Sequence, residues 1–501
     1  MEKMLRTITA IIMLVVIAVS TTGCAGDSAS NAAQNAEPDG ALNSADVKPD
    51  GALNSADVKP DGASNSADVK PDGALKDAGI KPGSELNGAK TEPDDKEDTR
   101  DVDIVPVNIL ANDLMEGVEG QEVNSNYLWG NYEPGMAEFA LRLAKACNES
   151  DAGQNVLVSP LSVLMALSMT ANGAEGTTLA RMEEALGFPI DMLNAYAYLF
   201  NKKLQEIPSN AGKLEVGNSI WFANDPQLIV NKDFLQTNAD YYGAEIYSAP
   251  FDHTTVSSIN SWVKEKTKGM IPKIIDNIDP SDLMVLVNAV AFEAKWSHPY
   301  IERQVEDGVF HVSSDEKRII PFMHGSEHSF LSDDNAQGFI KEYRGRKYAF
   351  AALLPDEGTD VDDYLKSLSG ERLNKILKDA EECYVVTSIP KFESEYDVEL
   401  RKVLSDMGMG KAFSYDAEFG KIGKCSNNFY IRKVQHKTFI SVDENGTKAG
   451  AATAVMVGGT GGTPKEKHEV NLDRPFVYML IDMETKTPFF IGIMRDPALK
   501  D

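Results

Sequence analysis

The chain has 501 residues, enough for two to four domains or for one large domain with unstructured sequence beside it, and its 42% apolar content supports a substantial core. A formal charge of -28, with no basic patch to offset it, excludes nucleic acid and anionic membrane surfaces as electrostatic partners. Half of that charge sits in a fifth of the length: residues 25–125 carry 22 acidic and 8 basic side chains, net -14.

At the amino end, Lys3 and Arg6 precede an apolar run from Ile8 to Val19 that is too short to span a bilayer comfortably, so residues 1–23 read as an export signal. The ending Thr21-Thr22-Gly23-Cys24 resembles a bacterial lipobox, in which Cys24 becomes the lipid-bearing first residue of the mature protein. Thr21 stands where Leu is usual, and ordinary secretion is the alternative. Either route leads outside the cell, with membrane contact only through the lipid. The four cysteines, Cys24, Cys147, Cys383 and Cys425, make no disulfide framework in a chain this long. Their spacing is wrong for a zinc site, so no metal is assigned.

From Pro38 an eleven-residue unit repeats: PDGALNSADVK at 38–48 and 49–59, PDGASNSADVK at 60–70, PDGALKDAGIK at 71–81, and a decayed copy to residue 90. Each unit holds a Pro and a Gly that interrupt a helix, and one or two bulky apolar residues at most. Such units cannot bury enough surface to offset ordering entropy, so residues 24–125 are expected to be an acidic, disordered linker, with the folded domain over 126–501.

Order is expected to begin near Tyr127. The run from Pro134 to Ala146 places Met136, Phe139, Leu143 and Ala146 at helical intervals behind an N-terminal proline. Val156–Val158 reads as a strand, leading through Pro160 into a helix apolar nearly all round and therefore buried. Ser159 and Ser162, polar in that setting, need hydrogen-bond partners. His324 and His328 have the spacing of helical metal ligands, but Gly325 and its turn-like neighbours point to a loop. Gly458–Gly462 is no phosphate cradle, and no Gly-x-Ser-x-Gly or nucleophile-base-acid set is present, so no enzyme activity is assigned.

Near the carboxyl end, Ser441–Val457 (SVDENGTKAGAATAVMV) is followed by GGTGGT. From Thr447 to Ala454 every side chain except Lys448 is Ala, Gly or Thr. As a strand, this run would put Thr447, Ala449, Ala451, Thr453 and Val455 on one face, and Lys448, Gly450, Ala452 and Ala454 on the other. Small residues on one face are compatible with insertion between existing strands; a plain Ala/Gly-rich linker is the other reading.

Several stretches, in order, resemble the signatures of the serpins, the large-loop serine-protease-inhibitor family. They are Asn155–Thr178, Asn218–Trp221, Ile259–Ile271, Leu286–Trp296, Ile389–Phe392 with Met407–Phe413, Val434–Ile440, and Arg474–Phe476 with Pro488–Arg495. The resemblance covers Tyr127 to Pro497. It implies an α+β serpin fold with three β-sheets, a large central sheet A, eight or nine helices and an exposed reactive-centre loop. It further implies a polar cluster of Ser159, Ser162, Asn288 and His436 beneath the centre of sheet A. Trp296 would stand at the top of the opening sheet, and Lys391 would pair with Glu444 across it.

The inhibitory members of that family resemble one another in a small-residue hinge, matched here by Glu444, Gly446, Thr447, Ala449, Gly450, Ala451, Ala452 and Thr453. Lys448 stands where Glu is common, but on the outward face. Family spacing puts the bait residue at Thr460, with cleavage before Gly461. The implied function is irreversible, suicide-substrate inhibition of a serine endopeptidase, subtilisin-like or elastase-like because GGTGGT offers no basic or aromatic anchor. The partner is then the target protease in a covalent acyl complex with a monomeric inhibitor, and no cofactor is required. A non-inhibitory substrate or binding protein, and an inhibitor of papain-like cysteine proteases, are the alternatives.

Overall fold

A computed structural model of the chain describes residues 111–123, 132–206, 212–447 and 467–499. The expectations for the export signal, Cys24, the repeats, and the hinge and bait positions Ala449, Gly450, Ala451, Ala452, Thr453, Thr460 and Gly461 lie outside the described residues.

Nine helices are present among the described residues: α1 (Glu133–Ser150), α2 (Pro160–Ala171), α3 (Gly176–Leu186), α4 (Ile190–Glu206), α5 (Lys232–Tyr242), α6 (His253–Lys266), α7 (Val361–Ser367), α8 (Gly370–Lys378) and α9 (Arg401–Leu404). The strands of the first half are β1 (Asn112–Asp113), β2 (Val156–Val158), β3 (Lys213–Ala223), β4 (Ile229–Val230), β5 (Glu245–Ala249), β6 (Met284–Lys295), β7 (Val305–His311), β8 (Lys317–Asp333) and β9 (Ala336–Glu342). The second half adds β10 (Tyr348–Pro355), β11 (Glu381–Pro390), β12 (Phe392–Glu399), β13 (Gly423–Lys424), β14 (Lys433–Val442), β15 (Gly446–Thr447), β16 (Lys467–Asn471), β17 (Phe476–Asp482) and β18 (Pro488–Met494).

These strands form a seven-stranded sheet in the order β1-β5-β3-β6-β15-β14-β12, a nine-stranded sheet, and a two-stranded ribbon of β4 and β13. In the nine-stranded sheet the long strand β8 links the parts, its seventeen residues pairing with β7 and β11 and then with β9. His324 and His328 both lie on that strand, so the expected loop there is corrected. Lys317–Asp333 has no regular alternation of its own, and it is pairing with β7, β11 and β9 that makes it a strand through Gly325.

The main core fills the space between the two large sheets and around α2, all twelve of whose residues are buried. Pro160 at its first turn and Ser159 at its cap, whose side chain accepts the Ser162 N–H, fix where that helix begins. A smaller core lies on the other face of the seven-stranded sheet, where Trp262 and Ile259 of α6 pack with Trp221, Val285, Val287 and Ala289. Strand β6 therefore buries both faces, which explains its nearly continuous apolar run.

The folded body starts earlier than the expected boundary at residue 126. β1 pairs antiparallel with β5, and Leu114, Met115 and Val118 pack on the main core. Gln121 donates its backbone N–H to Asp240 (2.7 Å) and Val123 donates its own to the Tyr198 hydroxyl (3.2 Å). Three spaced apolar side chains are enough to seat a short edge strand, although their sparsity hides it among acidic neighbours.

Candidate functional site: the parting of the central sheet

The seven-stranded sheet is closed over one half of its centre and parted over the other. From Lys433↔Val285 to Thr438↔Val290, β14 and β6 pair directly and in parallel. Beyond Thr438 the two strands separate, and at the far end β15 lies between them, antiparallel to both, with Thr447 opposite Val442 on one side and Ala294 on the other. Gly446 and Thr447 are both buried.

A tight turn delivers those two residues into the gap. The Asp443 carboxylate accepts the backbone N–H groups of Asn445 (2.7 Å) and Gly446 (3.1 Å), and the Asp443 N–H donates to the Gly446 carbonyl (3.0 Å). Burial raises the Asp443 carboxyl above its ordinary range, against those two donors. A Cβ on Gly446 would stand 2.1 Å from the Ala294 carbonyl oxygen, so only glycine lets the chain pass so close to β6.

Thr447 is held by its hydroxyl, 2.5 Å from that of the fully buried Tyr343. Tyr343 stacks on Trp296, with ring centroids 4.5 Å apart and planes within 7°. Trp296 in turn donates its indole N–H to the Asp443 carbonyl (2.8 Å) and its backbone N–H to the Asn445 carbonyl (2.8 Å). The Lys391 ammonium meets the Glu444 carboxylate at 2.5 Å and holds that carboxyl below its ordinary range. Both side chains are about one-third exposed (33% and 34%), so the pair contributes under about 1 kcal/mol.

The polar cluster lies where the strands close. His436 and Asn288 are register partners on β14 and β6, and both are fully buried. Nε2 of His436 accepts the Ser159 backbone N–H (3.1 Å), so the ring proton resides on Nδ1 and is donated to the Asn288 side-chain oxygen (2.6 Å). Asn288 donates to the Ser162 carbonyl (2.7 Å) and to the Asn218 side-chain oxygen (2.5 Å), and also touches the Ser162 hydroxyl. The Ser159 hydroxyl donates to the Phe489 carbonyl (2.8 Å). Burial lowers the His436 pKa to about 3, and a second ring proton would also point an N–H at the Ser159 N–H.

Ser159, Ser162, Asn288 and His436 thus meet as one cluster, and Trp296, Lys391, Glu444, Gly446 and Thr447 meet at the opening above it. Sequence reasoning did not single out Tyr343, Asp443 or the role of Asn218. Tyr343 has no local pattern to mark it, whereas Asp443, three residues before Gly446, carries the signal of an Asx turn.

The geometry is matched by known proteins. Residues 134–497 fit the family model described as Serpin (serine protease inhibitor). An uncharacterized serpin-like protein of Thermococcus kodakarensis is 33% identical over 356 residues, covering 68% of this chain and 81% of its own length. The thermophilic serpin tengpin in its native state is 43% identical, with a TM-score of 0.72 over 77% of this chain and 99% of its own; in its latent state it is 40% identical, with a TM-score of 0.64. A central sheet parted at one end, a glycine-threonine hinge seated in the gap, and family signatures along 134–497 lead to one conclusion: this chain belongs to the serpin family.

Proposed function

We propose that the chain is an irreversible suicide-substrate inhibitor of serine endopeptidases, in which cleavage of the loop before Gly461 lets the segment from Thr447 enter the central sheet as a new strand. The observation that carries this reading is β15, two residues of the loop already lying antiparallel between β6 and β14. If both ladders continue in register, β6 is matched from Lys295 down to Met284 by residues 446–457, and β14 down to Lys433 by residues up to 456. The small-residue run from Thr447 to Ala454 lies within that ladder, and GGTGGT follows just beyond its end. Both registers also bring Thr453 opposite Asn288 and His436, so its hydroxyl replaces the partner each loses when the strands separate.

Insertion replaces a direct parallel pairing by two antiparallel ones, which adds a ladder of backbone hydrogen bonds. Fourteen residues from Thr447 to Thr460 span roughly 45 Å at about 3.3 Å each, far enough to carry an acyl-linked protease along the sheet and distort its site. The GGTGGT bait favours proteases that accept small residues, or subtilisin-like enzymes that read Val455–Val457. We further propose that the chain is exported, and tethered by lipid on Cys24 through the acidic repeats.

Mixing the chain with subtilisin-like and elastase-like proteases should yield SDS-stable complexes near one-to-one, with a new carboxyl terminus at Thr460. Cleaved chain beside fully active protease would instead assign a substrate or binding protein. Complexes formed only with papain-like enzymes would move the target class to thiol proteases.

A further inference from the structure

Away from the parted sheet, three side chains of metal-ligating type converge at the edge of the nine-stranded sheet. Glu381 and Cys383 come from β11 and His468 from β16, and their ligand atoms lie within 4.8 Å of one another. The parallel pairing of these strands sets His468 opposite Val385. On its other side β11 pairs with β8, and that register slips between Glu382 and Val385, leaving one extra residue on β11. A bulge of this kind re-aims side chains. Val385 points into the core and is fully buried, while Cys383 is half-buried beside Glu381 and His468. The His468 ring stacks on Phe330 at 3.9 Å with planes 13° apart, which fixes its orientation.

We propose that Glu381, Cys383 and His468 form a zinc site that staples β16 to β11. A thiolate, an imidazole and a carboxylate are the donor set of a three-ligand zinc site whose fourth position is taken by water, and sulfur with nitrogen disfavours calcium and magnesium. Ligand atoms at about 2.0–2.3 Å from a tetrahedral zinc stand roughly 3.3–3.8 Å apart, so side-chain shifts of about 1 Å contract the group around the ion. Cys383 enters as the thiolate, its proton passing to solvent as the metal binds. The spacing of Cys383 and His468 in sequence carries no metal motif; only the pairing of β11 with β16 brings them together. Among the described strands β16 pairs with β11 alone, and it is the first described element after the bait segment. The ion therefore fastens the distal anchor of that segment, whether or not the chain is inhibitory.

Titration of the full chain with cobalt(II) should produce a thiolate-to-cobalt charge-transfer band that saturates near one equivalent and is discharged by zinc. The carboxylates of the acidic leader cannot produce that band. Cys383→Ser should abolish it, His468→Ala and Glu381→Gln should weaken cobalt binding by about tenfold or more, and Cys425→Ser should leave it intact. With zinc at one hundred times its dissociation constant, exchange of the β16 backbone amides should slow by about a hundredfold in the parent and not in Cys383→Ser. Absence of the band, or a band that survives Cys383→Ser, would overturn the site; amide exchange in β16 indifferent to zinc would overturn the staple.

Discussion

Two residues set the behaviour of the sheet opening, one by size and one by protonation. Thr447 is fully enclosed against Tyr343, Ala294 and Val442. Arg at that position would bury an unpaired guanidinium, so, under the proposed function, Thr447→Arg should lower the inserted population by about two orders of magnitude or more and leave the chain a substrate, read as loss of the SDS-stable band. Tyr343→Phe leaves the Thr447 hydroxyl buried without its partner and should cost about 1–2 kcal/mol in denaturant unfolding. His436 acts through pH. Its ordinary value is 6.5 and burial lowers it to about 3, so below pH 6.5 the unfolded chain takes up the proton first. Native stability should be intact above about pH 6.5 and erode as pH falls toward 3, by an amount on the order of a few kcal/mol, and His436→Gln should flatten that slope in thermal unfolding. None of these roles was legible from residue chemistry alone. A histidine before Lys437 carries no mark of burial, and it was the family resemblance that joined His436 to Asn288, Ser159 and Ser162.

Elements were more legible where periodicity is strong and less where tertiary pairing decides. The apolar run behind Pro160 and the helix from Pro134 announced themselves, and the second proved longer than expected because Cys147 and Asn148 also face the interior. The run from Thr447 reads as able to form a strand between existing ones, but the two residues of β15, Gly and Thr, have no period of their own and are held by β6 and β14. β1 was missed for the same reason. Its stability comes from pairing with β5 and from Leu114, Met115 and Val118, not from local propensity. A chain lacking residues 1–110 should therefore unfold like the parent, whereas removing residues 1–123 should cost roughly 2–3 kcal/mol of apolar burial and lower the melting temperature. Equal melting of the two truncations would show β1 to be an ornament of the sheet edge.

At the scale of the whole molecule, the sheet holds a strand between β6 and β14 at one end only. β6 and β14 are twelve and ten residues long, β15 occupies two positions between them, and below it the pair is joined directly. On the proposed insertion mechanism, the native state is held by a barrier while a more fully paired sheet lies lower in free energy. The serpin body was legible from ordered motifs over its whole length, yet the metastability proposed for it belongs to the assembled sheet and leaves no trace in any single segment. It is tested most directly by nicking the loop at a single bond between Val457 and Glu466 and comparing thermal unfolding of the nicked and intact chains. Insertion of residues 447–457 should raise the melting temperature of the nicked form well above that of the intact one; a melting temperature unchanged or lowered by the cut would contradict it.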